Sequence, residues 1–337
     1  MIISEMQHKL ATWAAADQTR RFDRLLRLIT DRNWLAEAAR IVLASSGAST
    51  PGLDGMDKRR LAAHLEHHLE RLRAALLDGS YRPTPVKRIH IPKANGKLRP
   101  LGIPILLDRI VQRAMLMAME PIWESDFHSG PYGFRPERSV HHAVRTVRMQ
   151  LQDGSDSKGS WIIEGDLASY FDTVHHRLLL KCVRRRIRDL RFIDLLWRIL
   201  KAGHVDRGLF FAASEGVPQG GVLSPLLSNI MLHEFDCWLE AKYLNKKARK
   251  DRWAWNFGIQ QGRPITVREN REWKPAIAYC RYADDCVPRT HRRKKVRNCV
   301  RDGGRSSGAG RQGQASNHRK LRRSKAGVVS VAEKGGT

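Results

Sequence analysis

Ala278-Tyr279-Cys280-Arg281-Tyr282-Ala283-Asp284-Asp285-Cys286-Val287 sets two adjacent carboxylates directly behind a short apolar segment of strand character. Neighbouring side chains of a strand point to opposite faces, so Asp284 and Asp285 cannot serve one site from a strand interior. At the turn of a hairpin they can. Like charges crowded into a turn are unfavourable unless a cation offsets them. Mg²⁺ suits that place, because it takes oxygen ligands from one or two carboxylates plus substrate phosphates. For an Asp-Asp pair by itself, a solvated loop is the better reading. The choice rests on whether the chain supplies a partner carboxylate and a nucleotide site.

Trp161-Ile162-Ile163-Glu164-Gly165-Asp166 reads as a buried strand that ends on such a carboxylate. If the two strands are neighbours in one antiparallel sheet, Asp166, Asp284 and Asp285 converge. Three carboxylates can hold two Mg²⁺ (or Mn²⁺) roughly 3.5–4 Å apart, the arrangement of in-line nucleotidyl transfer. One ion would lower the pKa of an attacking 3′-hydroxyl, and the other would neutralise a leaving pyrophosphate.

Further pieces fit a nucleoside triphosphate. Val86, Ile89 and Ile91 alternate into Pro92-Lys93-Ala94-Asn95-Gly96-Lys97-Leu98-Arg99-Pro100-Leu101, where Asn95-Gly96 signals a hairpin. A two-residue turn would pair Lys93 with Leu98. A three-residue loop, Asn95 to Lys97, would pair Lys93 with Arg99. The second register is expected here, because it joins a point charge and a fork into a phosphate grip. An exposed charged hairpin is the alternative. Gly220 and Gly221 of the tight loop Gly216-Val217-Pro218-Gln219-Gly220-Gly221 would let backbone approach a nucleotide, with Gln219 beside them. Phe171, five residues past Asp166, is placed to lie under a sugar and reject its 2′-hydroxyl.

The charge agrees with a polyanionic partner. The 337 residues carry a net +27, and 42% are hydrophobic, enough for a packed core. Residues 288–337 hold 15 Lys/Arg against Asp302 and Glu333, a net of +13, so the body is basic even without its tail. No apolar run reaches bilayer length, and residues 1–21 lack a signal core, so a cytoplasmic protein with no membrane partner is expected. Five widely spaced cysteines include no Cys-x-x-Cys, which points to neither a disulfide framework nor a zinc site. The paired histidines His67-His68, His141-His142 and His175-His176 read as solvated helix faces.

The periodicity predicts helices over residues 1–46, from Lys58 to Leu77, from Pro104 to Trp123, around Val140, Val144, Val147 and Leu151, and from Leu167 through about Ile187. In the third of these, Leu106, Ile110, Ala114 and Met117 form the buried stripe. Ser224 is expected to cap a further helix that has Pro225 at its first position. The run Arg184-Arg185-Arg186 is either a solvated face or a phosphate contact. Residues 242–275 are basic, weakly periodic and read as an insertion. Pro288 is expected to end the second strand of the Asp-Asp hairpin. The Arg-, Gly- and Ser-rich remainder reads as disordered.

In order along the chain stand Ile91-Pro92-Lys93…Arg99-Pro100-Leu101-Gly102-Ile103-Pro104, Asp108-Arg109-Ile110-Val111-Gln112 and Gly133-Phe134-Arg135-Pro136…Arg138-Ser139. Asp166…Phe171-Asp172, Pro218-Gln219-Gly220-Gly221-Val222-Leu223-Ser224-Pro225 and Arg281-Tyr282-Ala283-Asp284-Asp285 follow. Over about residues 50–287 this set resembles the reverse transcriptases of group II introns, the intron-encoded maturase type. The resemblance implies an α+β fold: the fingers and palm of a right-hand polymerase, with an antiparallel palm sheet and packed helices. It implies RNA-directed DNA synthesis with dNTPs on an RNA template and DNA primer, and binding of a parent intron RNA to help its splicing, as a cytoplasmic ribonucleoprotein. Metal binding falls to Asp166, Asp284 and Asp285 with the backbone of Leu167. Nucleotide contacts fall to Lys93, Arg99, Phe171, Gln219 and Gly220, and Arg135 would lie near the template.

The expected domains are an N-terminal helical extension over 1–56, fingers over 57–160, a palm over 161–287 with its insertion at 242–275, and a basic tail over 288–337. The chain departs from the family after Asp285. No thumb or maturase region is readable, and one expectation is that the tail is an out-of-frame translation of the same gene. An intact thumb in another reading frame of the locus would support that account. A non-catalytic RNA-binding splicing cofactor and a retron-type reverse transcriptase are the competing readings. The long N-terminal region and Thr50–Gly55 favour the intron type.

Overall fold

The computed structural model describes residues 2–92, 96, 98–152, 161–167, 169–244, 253–260, 263–270, 278–290 and 328–333. The chain divides into two compact units, Met1–Phe127 with Ser169–Leu232, and His128–Ala168 with His233–Thr337. In chain order the first helices are α1 (Ile3–Ala16), α2 (Leu25–Ile29), α3 (Arg32–Ala44), α4 (Lys58–Ala63), α5 (Leu65–Asp78) and α6 (Leu106–Glu124). They are followed by α7 (Val140–Gln152), α8 (Tyr170–Thr173), α9 (His176–Val183), α10 (Leu190–Lys201) and α11 (Ser224–Leu239).

The first unit is built round α6. Besides the expected stripe of Leu106, Ile110, Ala114 and Met117, this helix buries Val111, Met115, Met119, Ile122 and Trp123. A helix apolar on nearly all sides belongs in a core rather than on its surface. Helices α1, α2 and α3 pack on it, and the Trp34 indole of α3 donates to the Ala114 carbonyl at 2.9 Å. Helix α10 was not legible as an element beforehand. It is capped by the Asp189 carboxylate, which accepts from the Phe192 and Leu26 amides, and it buries Phe192, Ile193, Leu196 and Ile199.

This unit carries a four-stranded sheet in the order β2-β1-β4-β5: β1 is Val86–Pro92, β2 Leu98–Ile103, β4 His204–Asp206 and β5 Leu209–Phe211. Strands β1 and β2 are antiparallel, but Pro92 pairs with Leu98 and Arg99 with Ile91. The expected Lys93–Arg99 register is therefore wrong by two residues. The Asn-Gly signal located the hairpin without fixing its loop length. Lys93 itself lies outside the described residues.

Other expectations change for packing reasons. The single helix from Leu167 to Ile187 is two, α8 and α9, separated by the extended Val174 and His175, whose ring accepts from the Leu178 amide. Arg186 is neither solvated nor on phosphate. It is buried, donates to the Ala14 and Asp17 carbonyls at the end of α1, and pairs with Asp126 at 3.0 Å. His176 is buried as well, with Nε2 2.6 Å from the Gly216 carbonyl. The Ser224 hydroxyl donates to the Pro218 carbonyl at 2.7 Å, a bond back to the loop before the helix.

The second unit holds the sheet β10-β3-β9-β8, antiparallel throughout: β3 is Trp161–Asp166, β8 Ala278–Tyr282, β9 Asp285–Thr290 and β10 Val328–Glu333. Pro288 does not end the hairpin, because β9 runs through it to Thr290. Pro288 pairs with Tyr279 of β8, and the pairs with β3 fall at Gly165–Cys286, Ile162–Arg289 and Trp161–Thr290, not at the proline. The missing N–H is thus placed where the β3 ladder lapses. Within 242–275, β6 (Trp253–Gln260) and β7 (Arg263–Asn270) pair with each other. Helix α7 turns Ala143 inward and leaves Val144 62% exposed, so its valines do not mark the buried face. No described helix is long and apolar enough to cross a membrane.

Candidate active site

Strands β8 and β9 form a hairpin closed by the pair Tyr282–Asp285, which leaves Ala283 and Asp284 as its two turn residues. Asp284 thus occupies the turn and Asp285 opens β9. Ala283 has φ 54°, a left-handed conformation that costs an L-residue roughly 1–2 kcal/mol. Strain of this kind persists only where the surroundings over-determine it. Here two contacts do so. Arg281 Nη1 donates to the Ala283 carbonyl at 2.7 Å. The loop at Gly133 approaches so closely that a Cβ there would sit 2.3 Å from the Ala283 nitrogen.

The support beneath the turn is a buried charge cluster. Arg281 donates through Nε and Nη2 to the two oxygens of Asp236 at 3.0 and 2.7 Å, and the Tyr279 hydroxyl donates to Asp236 at 2.5 Å. Burial opposes the charge on Arg281, but Asp236 outweighs it and raises the guanidinium pKa. Burial, then Asp236, raises the Tyr279 phenol well above its usual value. The loop Gly130–Gly133 runs along β8: Arg281 N donates to the Gly130 carbonyl and Tyr132 N to the Arg281 carbonyl. Arg135 is 7% exposed and donates to the His128 and Pro131 carbonyls. Its guanidinium holds this loop from within, rather than facing outward as a template contact would require.

Asp166 ends β3. The β3–β9 register pairs Gly165 with Cys286, which in antiparallel order brings the backbone of Asp166 beside that of Asp285. Gly165 lies so close to Cys286 that a Cβ would meet its Sγ at 2.7 Å. Three carboxylate-bearing positions therefore stand at one corner of one sheet: two on paired strands and one in the adjoining turn. Hard oxygen donors fit Mg²⁺ or Mn²⁺. Among the described residues no group of three metal-ligating side chains is gathered, and the Asp166 side chain is not among those described.

The first unit assembles residues named for nucleotide contact. Arg99 Nε donates to Gln219 Oε1 at 3.2 Å, and Gln219 Nε2 to Asp172 Oδ2 at 3.4 Å. The Gln219 carbonyl accepts from the Gly102 amide at 2.6 Å, tying the loop to β2. Gly220, at φ 102°, leaves no room for a Cβ, which would be 2.4 Å from the Gly102 oxygen. Half-buried Phe171 packs on the core, and its carbonyl accepts from the Val217 amide at 2.7 Å. The loop and the Phe171 segment are thus held together.

Residues 91–306 match the family described as reverse transcriptase (RNA-dependent DNA polymerase). The chain belongs to the reverse transcriptase family. It is 70% identical over 287 residues to protein YkfC of Escherichia coli K12, covering 85% of this chain and 75% of that one. It is 35% identical over 221 residues to the group II intron-encoded protein LtrA of Lactococcus lactis, covering 64% of this chain and 35% of LtrA. A chain of a partial Cas6-RT-Cas1–Cas2 complex aligns over 85% of this chain and 41% of its own, at 18% identity and a TM-score of 0.46. The ordered motifs that suggested a group II intron reverse transcriptase and maturase agree with the family match, with the name of LtrA and with that of nuclear intron maturase 1 of Arabidopsis thaliana, 29% identical over 212 residues, 47% of this chain and 29% of that one.

Among the reverse transcriptase motifs, Asp108-Arg109…Gln112 had been given no task. Asp108 accepts from the Tyr81 hydroxyl at 2.5 Å and the Thr84 amide at 2.8 Å. Burial pushes its carboxyl up to about 6. Arg109 donates to the Gly47, Thr50 and Pro104 carbonyls, clamping the turn-rich segment that follows α3. Gln112 accepts from the Val222 amide at 2.9 Å, directly behind the Gln219 loop. Polar residues at helical spacing inside an apolar helix were the available signal. Asp236 carried no such signal, being one acid on an ordinary helix.

Proposed function

We propose that this chain is an RNA-directed DNA polymerase of group II intron type, with the sheet β10-β3-β9-β8 as its palm sheet and β1–β2 among its fingers. The observation that carries the reading is the strand register that sets Asp166 beside Asp285 with Asp284 in the turn. Asp166, Asp284 and Asp285, with the Leu167 backbone, would hold two Mg²⁺. When bound, such ions supply positive charge to the attacking and leaving oxygens of nucleotidyl transfer.

The chain's own residues do the rest. Arg99 would fork onto the triphosphate of a dNTP, with Lys93 as a second charge. Gln219 would orient the nucleotide from a loop that Gly220 lets lie flat on β2. Phe171 would lie beneath the sugar and exclude a 2′-hydroxyl. Arg281 and Asp236 would keep the Asp284 turn in its strained form and so position its carboxylate. The basic surface would bind template and intron RNA through phosphates.

Primer extension on poly(rA)/oligo(dT) with Mg²⁺ tests the reading. Extension that is lost in Asp284→Ala supports it. Tight intron RNA binding with no extension by the wild-type chain would instead favour a splicing cofactor without polymerase activity.

A further inference from the structure

The short hairpin β4–β5 presents three consecutive apolar side chains to solvent: Leu209 at 66%, Phe210 at 59% and Phe211 at 45% exposure. Such a run on an edge strand is an aggregation liability unless it has a use. Its geometry is fixed. Asp206 pairs with Leu209 across a two-residue turn, Arg207-Gly208, in which both residues have positive φ, as tight hairpin turns require. The His204 ring stacks on Phe211 with centroids 5.1 Å apart and planes 10° from parallel. The Phe210 ring lies against Gly203, where a Cβ would be 2.8 Å from it. Arg207 stands at the tip; burial and then Arg88 of the neighbouring strand β1 lower the His204 pKa, against the smaller opposing pull of Asp206 and Asp172.

We infer that this hairpin is a stacking platform for unpaired bases of a single-stranded nucleic acid. Rigid aromatic faces beside cationic side chains suit bases joined by phosphates, and every base offers a ring face to stack. A second copy of the chain fits less well. A three-residue edge strand offers few backbone bonds, and two chains of net charge +27 repel. The inference does not depend on the chain being an active polymerase.

The test uses the full chain and two RNA probes at one salt concentration: an unstructured oligo(U) and a duplex of equal length. Phe210→Ala combined with Phe211→Ala should weaken oligo(U) binding about tenfold or more while duplex binding holds, with the thermal unfolding midpoint unchanged. Phe210→Trp should keep or tighten oligo(U) binding. Photocrosslinking of 5-bromouridine in the oligonucleotide should map to Phe210 or Phe211. Equal loss on both probes, no loss on either, or a wild-type dimer that the double variant dissociates would overturn the assignment.

Discussion

Asp284 and Arg281 are three residues apart and answer to different physics. Asp284 stands in the β8–β9 turn, and in the proposed polymerase its carboxylate would help hold a metal ion. Removing one such stabilising charge from an active site costs roughly 10²–10³ in rate. Asp284→Ala and Asp285→Ala should therefore each cut primer extension at least a hundredfold. Arg281 is buried against Asp236. Breaking a buried pair from one side costs about 3–5 kcal/mol, because the remaining charge is stranded. Arg281→Ala should show that loss in urea denaturation, and a value below about 1 kcal/mol would remove Arg281 from its supporting role. Asp108 gives a pH signature. Its folded pKa of about 6 lies above the ~3.9 of an unfolded Asp. The folded chain holds the extra proton between these values, so this residue's contribution to stability falls as pH rises from about 4 to 6 and is flat above. Asp108→Asn should therefore gain on wild type by on the order of 3 kcal/mol between about pH 4 and pH 7, read from urea midpoints.

At the scale of elements, the β8–β9 hairpin stores strain at Ala283, where φ is 54°. Glycine relieves that strain but loses more chain entropy on folding. Ala283→Gly should therefore stabilise the protein by about 0.5–1 kcal/mol. A destabilised variant would mean that Ala283 is not strained. Gly133→Ala acts in the opposite direction, because its Cβ would press on the same turn. A cost of about 1–3 kcal/mol is expected, together with slower extension. The hairpin β1–β2 teaches a different lesson. Asn95-Gly96 announced a turn, yet the register followed the pairing of Ile89 with Leu101 and of Ile91 with Arg99. Loop length is settled by which strand residues pack, and the turn residues alone do not report it.

For the molecule as a whole, the net charge of +27 makes salt the decisive variable. If six to ten phosphates are neutralised, RNA affinity should fall about 10³–10⁵-fold between about 50 and 200 mM salt, linearly on logarithmic axes. A shallow slope in filter binding would argue against phosphate-dominated contact. The sheet β10-β3-β9-β8 also joins distant parts of the chain. Strand β10 comes from the basic tail, where no sustained period had suggested an element, and it pairs Val328 with Asp166. Strand pairing supplies a partner edge that local periodicity cannot reveal.

Composition and ordered motifs were enough to determine a basic, mixed helix-and-strand protein of the reverse transcriptase family, and to single out Asp166, Asp284 and Asp285 as candidates. Those features are local: residue type, spacing and charge carry them wherever the chain goes. Only the tertiary structure decided that Asp166 and Asp285 are neighbours across two strands, that Arg186 and Arg135 turn inward onto carbonyls, and that Asp236 underlies the turn. Each depends on which segments pack together. A sequence records a side chain's chemistry, while burial and partner are fixed by whichever segments the fold brings beside it.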